Sequence, residues 1–134
     1  MLLLLPSLAL ADSFSLFGAR FGSSREEIAR IWTPVGDGGW TVPDSPIRQV
    51  TTLFDHRGRL VRVTFTLDLP LSDPPEMVGK AIQMLVDRRW SGDPELGTTT
   101  IAGRFENQVT VWNKKLVDEY VRHLEEQVSS LLKP

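Results

Sequence analysis

The clearest pattern in the chain is an alternation. In LVRVTFTL, Val61, Val63, Phe65 and Leu67 are separated by Arg62, Thr64 and Thr66, the period of two of a half-buried strand. IRQVTTLF precedes it, and between the two DHRG places Asp55 and Gly58 at the first and fourth positions of a type I turn. The pattern leaves two registers open. A three-residue loop aligns Ile47 and Leu53 with the Val61/Val63/Phe65 face, and a four-residue loop aligns Val50 and Phe54 with it. A slip of one residue moves every side chain to the other face. TTTIAGRF and QVTVW predict a second hairpin, joined near Glu106–Asn107.

Three segments carry a helical period. Ser24 and Glu27 form the sequence signature of a capping box, and Ile28, Ile31 and Trp32 make an apolar stripe, so a first helix is predicted from Ser24 to Trp32. Pro34 closes it, and VGDGGW reads as a turn-rich loop. The second helix lies in SDPPEMVGKAIQMLVDRRW, with Asp73 as N-cap and Pro74 at the first helical position. Its broad apolar face holds Val78, Ile82 and Leu85, with Met77, Ala81 and Met84 beside them. The last helix, in KKLVDEYVRHLEEQVSSLL, has Val117, Val121, Leu124, Val128 and Leu131 at alternating steps of four and three, widened by Leu116, Tyr120 and Leu132. That rhythm covers about two heptads, fewer than a coiled coil needs. Packing on the sheet is the expectation, with dimerisation through this helix as the alternative.

Hairpins with intervening helices define an α+β class. The expected architecture is a single antiparallel sheet of four or five strands with about three helices, mainly packed on one face. The other face is solvated or binds something. The N-terminal MLLLLPSLALADS is an apolar run ending in the small-x-small signature Ala9-Leu10-Ala11, which predicts a signal peptide over 1–11 and a single domain over 12–134. The run is much shorter than the roughly 20 residues that cross a bilayer.

Charge and composition narrow the chemistry. A net charge of -2 lacks the basic surplus of a nucleic-acid-binding domain. The chain has no cysteine, which removes disulfides, thiolate nucleophiles and cysteine metal sites. GDGG is not followed by the Lys-Ser/Thr of a phosphate-binding loop, and Gly-x-Ser-x-Gly does not occur. His56 falls at a turn tip. His123 has Glu119 and Glu126 on its side of the last helix, a pattern typical of a solvated charged face. No cofactor and no metal are expected. The candidate binding residues are Arg48, Arg57, Arg59 and Arg62, which gather positive charge on the first hairpin, and Trp40, beside the glycine loop, as an exposed interface anchor.

GSSREEIARIWTP followed by TTLFDHRGRLVRVTF resembles the small outer-membrane assembly lipoproteins of the BamE/SmpA type. The positions that carry the resemblance are Gly22, Ser24, Glu27, Ile28 and Pro34, then Phe54, Asp55, Gly58 and Leu60. They span about residues 22–65, and the family's lipidated cysteine has no counterpart here. The resemblance implies a similar small envelope domain and carries no binding site across. With the signal-like start, it leads to a non-catalytic exported module, periplasmic or secreted, that contacts a protein partner in the envelope as a monomer or homodimer. Two alternatives draw on other features: a small hydrolase-like enzyme built from scattered Asp, His and Arg residues, and a peripheral protein binding anionic lipid through the arginine hairpin.

Overall fold

Strand pairing follows the alternation read in the sequence and extends it. The computed structural model describes residues 16–43, 45, 47–67, 75–90, 92–102 and 107–133. Along the chain come α1 (Arg25–Ile28), β1 (Thr33–Val35), β2 (Gly39–Thr41), β3 (Ile47–Phe54), β4 (Leu60–Leu67), α2 (Pro75–Arg89), β5 (Leu96–Ala102), β6 (Asn107–Asn113) and α3 (Lys114–Leu132). The strands form one antiparallel sheet in the order β1-β2-β3-β4-β6-β5. The α+β class and the single antiparallel sheet are as expected, but the sheet has six strands rather than four or five. The predicted signal peptide, the Asp73 cap and the second hairpin's turn before Asn107 lie outside the described residues.

The extra pair of strands comes from the stretch expected as a loop. Val35 pairs with Gly39, and Gly36 and Gly38, at φ 63° and 75°, reverse the chain between them. Drawing Thr33–Val35 into the sheet shortens the first helix. The capping box forms as read: Ser24 Oγ accepts from the Glu27 N–H, and Glu27 Oε1 accepts from the Ser24 N–H. Only Arg25–Ile28 is α-helical, after which turns carry the chain to Trp32 and leave Ile31 exposed. Pro34 then sits on an edge strand, where its missing N–H costs no ladder bond.

One sheet face is the core. Val50, Phe65, Val109 and Thr100 form one rung across β3, β4, β6 and β5, and Thr52, Val63, Val111 and Thr98 form the next. This is the register that places Val50 with Phe65. A shift between Ile47 and Gln49 returns Ile47 to the interior, and a second shift beside Phe54 lets Leu60, Val61 and Val63 all be buried. Leu16, Ile28, Trp32 and Trp40 close the core over one half of the sheet, with α2 on β5 over the other. On α2, Val78, Ile82 and Val86 point inward, continued by Trp90, which stacks on Phe65. Met77, Met84 and Leu85, expected within that face, are exposed, because a helix lying flat on a sheet buries one narrow line of side chains.

The opposite face has a hydroxyl rung at its centre. Thr51, Thr64, Thr110 and Thr99 form a rung across the same four strands, with Thr64 and Thr110 hydrogen-bonded at 3.0 Å. Next to it runs Leu53, Arg62, Trp112 and Gly97. A Cβ on Gly97 would overlap the indole of Trp112, which lies across the β5 backbone on this face. The last helix enters on this side and buries none of its residues, contrary to the expectation that its stripe packs on the sheet. Gly97→Ala should therefore lift the indole and destabilise the fold by roughly 1–3 kcal/mol, as overpacking does. Urea denaturation followed by tryptophan emission checks it; an unchanged midpoint would mean the indole moves freely.

Candidate functional site

The end of the sheet where β3 turns into β4 is organised by one carboxylate. The Gly58 N–H donates to the Asp55 carbonyl, the Asp55 N–H donates to the Arg59 carbonyl, and Gly58 takes φ 75°. This is the expected type I turn, completed by a glycine bulge. The Asp55 side chain is out of solvent. Its Oδ1 accepts from the backbone N–H groups of Arg57 and Arg59, both at 2.9 Å, and its Oδ2 accepts from Arg59 Nε at 2.8 Å. Burial pushes this carboxyl up, but the two backbone donors and the Arg59 guanidinium outweigh it and hold it below the ordinary carboxylate range.

Arg59 continues the network to α3. Its Nη2 donates to Glu119 Oε2 at 3.0 Å, which lowers the Glu119 carboxyl, with the charges of Arg59, Lys115 and Arg57 adding to the effect. Asn113 caps the start of the helix by accepting from the Leu116 N–H at 3.0 Å. Beside the ion pair, His56 of the turn and His123 of α3 stack with ring centroids 3.8 Å apart and planes within 8°, and Tyr120 lies 6.0 Å from His56 on a near-parallel plane. These contacts fix the first half of α3 over the turn.

The sequence separates the two histidines by most of two hairpins and a helix; the fold brings them together. With Arg57, Glu119, Arg122 and Glu126 they line an open depression of about 380 Å3. Parallel imidazoles direct their nitrogen lone pairs along side-by-side planes instead of at one point, which is the wrong geometry for chelation. Among the described residues no group of three or more His, Asp or Glu side chains is arranged to hold a metal. The lining has no hydroxyl or thiol to serve as a nucleophile.

The four hairpin arginines do not form one patch. Arg57 is at the turn, Arg59 is taken up by Asp55 and Glu119, and Arg62 lies on the open sheet face. Arg48 is exposed at the other end of β3. Trp40 is 1% exposed and donates from Nε1 to Thr52 Oγ1 at 2.8 Å, with the Arg25 guanidinium 5.1 Å from its ring centre. Of its two readings, core residue and exposed interface anchor, Trp40 takes the first, because β2 places it opposite Val50 on the inner face.

A second hollow lies on the open face. Leu53, Arg62, Thr99, Thr110, Trp112 and Val117 enclose about 340 Å3 of largely apolar space between the sheet and the start of α3. From Val117 the apolar stripe of α3 runs outward: Val121, Leu124 and Val128 are 40–53% exposed, and Leu131 and Leu132 are 83% and 78% exposed. The helical stripe was legible in the sequence. The hollow was not, since it requires the open-face rung and the helix start to meet. Among the described residues no helix is long and apolar enough to cross a membrane. Comparisons with protein-family models, with curated proteins and with solved structures found no match.

Two outcomes follow from the turn network. Asp55 is held below its ordinary value of about 3.9, so the stability it contributes is present above that pH and is lost as the pH falls through its folded-state value. Asp55→Asn should lower stability by about 2 kcal/mol near neutral pH, and the difference from the parent should shrink below about pH 4. Urea midpoints measured from pH 7 to pH 2 read this out, and a pH-independent difference would contradict it. His123→Ala should raise amide hydrogen exchange in residues 114–123 while leaving exchange in β4 and β6 unchanged. Unaltered exchange in α3 would show that the stack does not hold the helix.

Proposed function

We propose that the chain is a non-catalytic binding module of the bacterial envelope, periplasmic or secreted, that docks a protein partner on the open sheet face and α3. The observation that carries this reading is the exposed apolar stripe of α3. Five large aliphatic side chains from Val121 to Leu132 stand at least two-fifths open to solvent on one helix. Apolar surface of that extent, contiguous and rimmed by polar residues, marks an interaction site. Burying one such side chain is worth about 1.5–3 kcal/mol, so a partner that covers the stripe is strongly favoured. The helix-in-groove mode of recognition uses anchors at this spacing.

The signal-like start over residues 1–11 and the resemblance of residues 22–65 to BamE/SmpA-type proteins support the location. Dispersal of Arg48, Arg57, Arg59 and Arg62 over different parts of the hairpin favours a protein surface over anionic lipid as the partner.

The test is photo-crosslinking in living cells. A photoreactive residue replaces Val128 in the chain expressed with its native upstream region, and the cells are fractionated after irradiation. The expected result is a covalent protein adduct in the periplasm or medium, on a chain whose intact mass starts at Asp12. The same residue at Glu126, on the opposite side of the helix, should give little adduct. Absence of any adduct at Val128, or a full-length chain confined to the cytosol, would overturn the reading.

A further inference from the structure

We infer that the occupant of this surface is a second copy of the chain, with the outer half of each α3 seated in the open-face hollow of the other. The inference rests on the reading of α3 as a docking surface and adds who docks there. The hollow and the stripe are parts of one surface. Val117 is both a wall of the hollow and the first residue of the stripe. The hollow is concave and apolar, floored by Trp112 and Leu53, with room for several leucine-sized side chains. The helix beyond Val117 is convex and apolar, and presents Leu124 and Val128 at the spacing of groove anchors. A chain that carries both shapes side by side is complementary to itself.

Charge points the same way. On the open face Arg62 lines the hollow, and it has no ion-pair partner among the described residues. From Leu124 to Leu132 the helix carries two charges, Glu125 and Glu126. Glu126 faces the histidine depression, and Glu125 borders the stripe. A second copy's helix seated in the hollow would bring its Glu125 carboxylate toward Arg62. An interface made of one helix stripe and one hollow from each copy is small, so the expected association is reversible and on the order of micromolar.

The experiment uses the full processed chain. Sedimentation equilibrium over about 1–100 µM should show a monomer–dimer equilibrium. Leu124→Glu should abolish the dimer while leaving the urea midpoint unchanged, since Leu124 is not part of the core. Arg62→Glu and Glu125→Arg should each weaken association roughly three- to tenfold, and the two together should restore it. Because the chain has no cysteine, contacts between copies can be read by disulfides. A Thr99→Cys chain mixed with a Leu124→Cys chain should form the mixed disulfide on oxidation. A monomer throughout the concentration range would overturn the inference. So would a Leu124→Cys chain that links only to itself, which would place Leu124 against Leu124 and outside the hollow. If the pure chain is monomeric and Val128 crosslinks to a different protein in cells, the docking reading stands and this inference falls; if Val128 yields no adduct, both fall.

Discussion

Asp55 occupies the point where the β3–β4 hairpin reverses, with its carboxylate out of solvent and both oxygens accepting hydrogen bonds. A buried carboxylate left unpaired is costly, so the turn must present donors to it. The donors it uses are the backbone of Arg57 and Arg59 and the guanidinium of Arg59, and the same guanidinium then holds Glu119. Through that second bond the turn sets where α3 lies. The residue after the turn also ties down the start of the domain: the Gly22 N–H donates to the Leu60 carbonyl, and the Leu60 N–H donates to the Ser23 carbonyl. One carboxylate at the sheet end thus connects the first helix's approach, the central hairpin and the last helix.

The two faces of the sheet impose different fates on the helices above them. The inner face carries Val50, Val63, Phe65, Val109 and Val111, and any helix over it is held by its apolar line, as α2 is by Val78, Ile82 and Val86. The outer face offers one all-threonine rung, whose hydroxyls are content with water and with one another, and beside it the mixed rung Gln49, Thr66, Gln108 and Ile101. The Leu53–Arg62–Trp112 rung gives α3 something apolar to meet at Val117, and Leu116 and Tyr120 of the same helix are half-buried. Beyond that point the helix has no surface beneath it. Isolated helices of about a dozen residues are marginal in water, so the outer half depends on being continuous with the docked first half and on the cap at Asn113. The Arg59–Glu119 and His56–His123 contacts supply that anchorage.

What was legible in the sequence divides along the same line. Alternation in LVRVTFTL from Val61 to Phe65, the capping box at Ser24 and Glu27, and the Asp55–Gly58 turn are local chemistry, and each takes the expected form, while Thr66, expected outward, is buried. The register of the first hairpin was not local. It depended on a bulge that brings Ile47 inward and another beside Phe54, neither of which alternation encodes. The glycine loop concealed a hairpin because its strands are three residues long, too short to show a period. Trp40 looked like an exposed anchor because a tryptophan in a loop has no assigned side; pairing with Val50 assigned it one. An amphipathic period in α3 states that a face is apolar and says nothing about what covers it. The histidine pair was hidden for the simplest reason: 66 residues separate the two, and the pairing of β6 with β4, with Glu119 held by Arg59, brings them face to face.

Whether contact between copies closes or propagates depends on where its two halves sit. A helix of one copy entering the hollow of the next, with the return contact elsewhere, would be heterologous and would build an open chain of molecules. Here the hollow and the stripe share Val117, and four residues, about 6 Å of helix rise, separate it from Val121. The rotation that seats one copy's Leu124 in its partner's hollow therefore brings the partner's Leu124 close to the first copy's hollow. Two helices crossing near Val117 and Val121 would satisfy both contacts at once, which would make the proposed interface isologous and end it at two copies. The same pairing would link the Asp55 network to the stripe: a small change in the angle at which Arg59 and His56 hold the first half of α3 would be magnified along the outer half, and the reciprocal fit would be lost at both ends together.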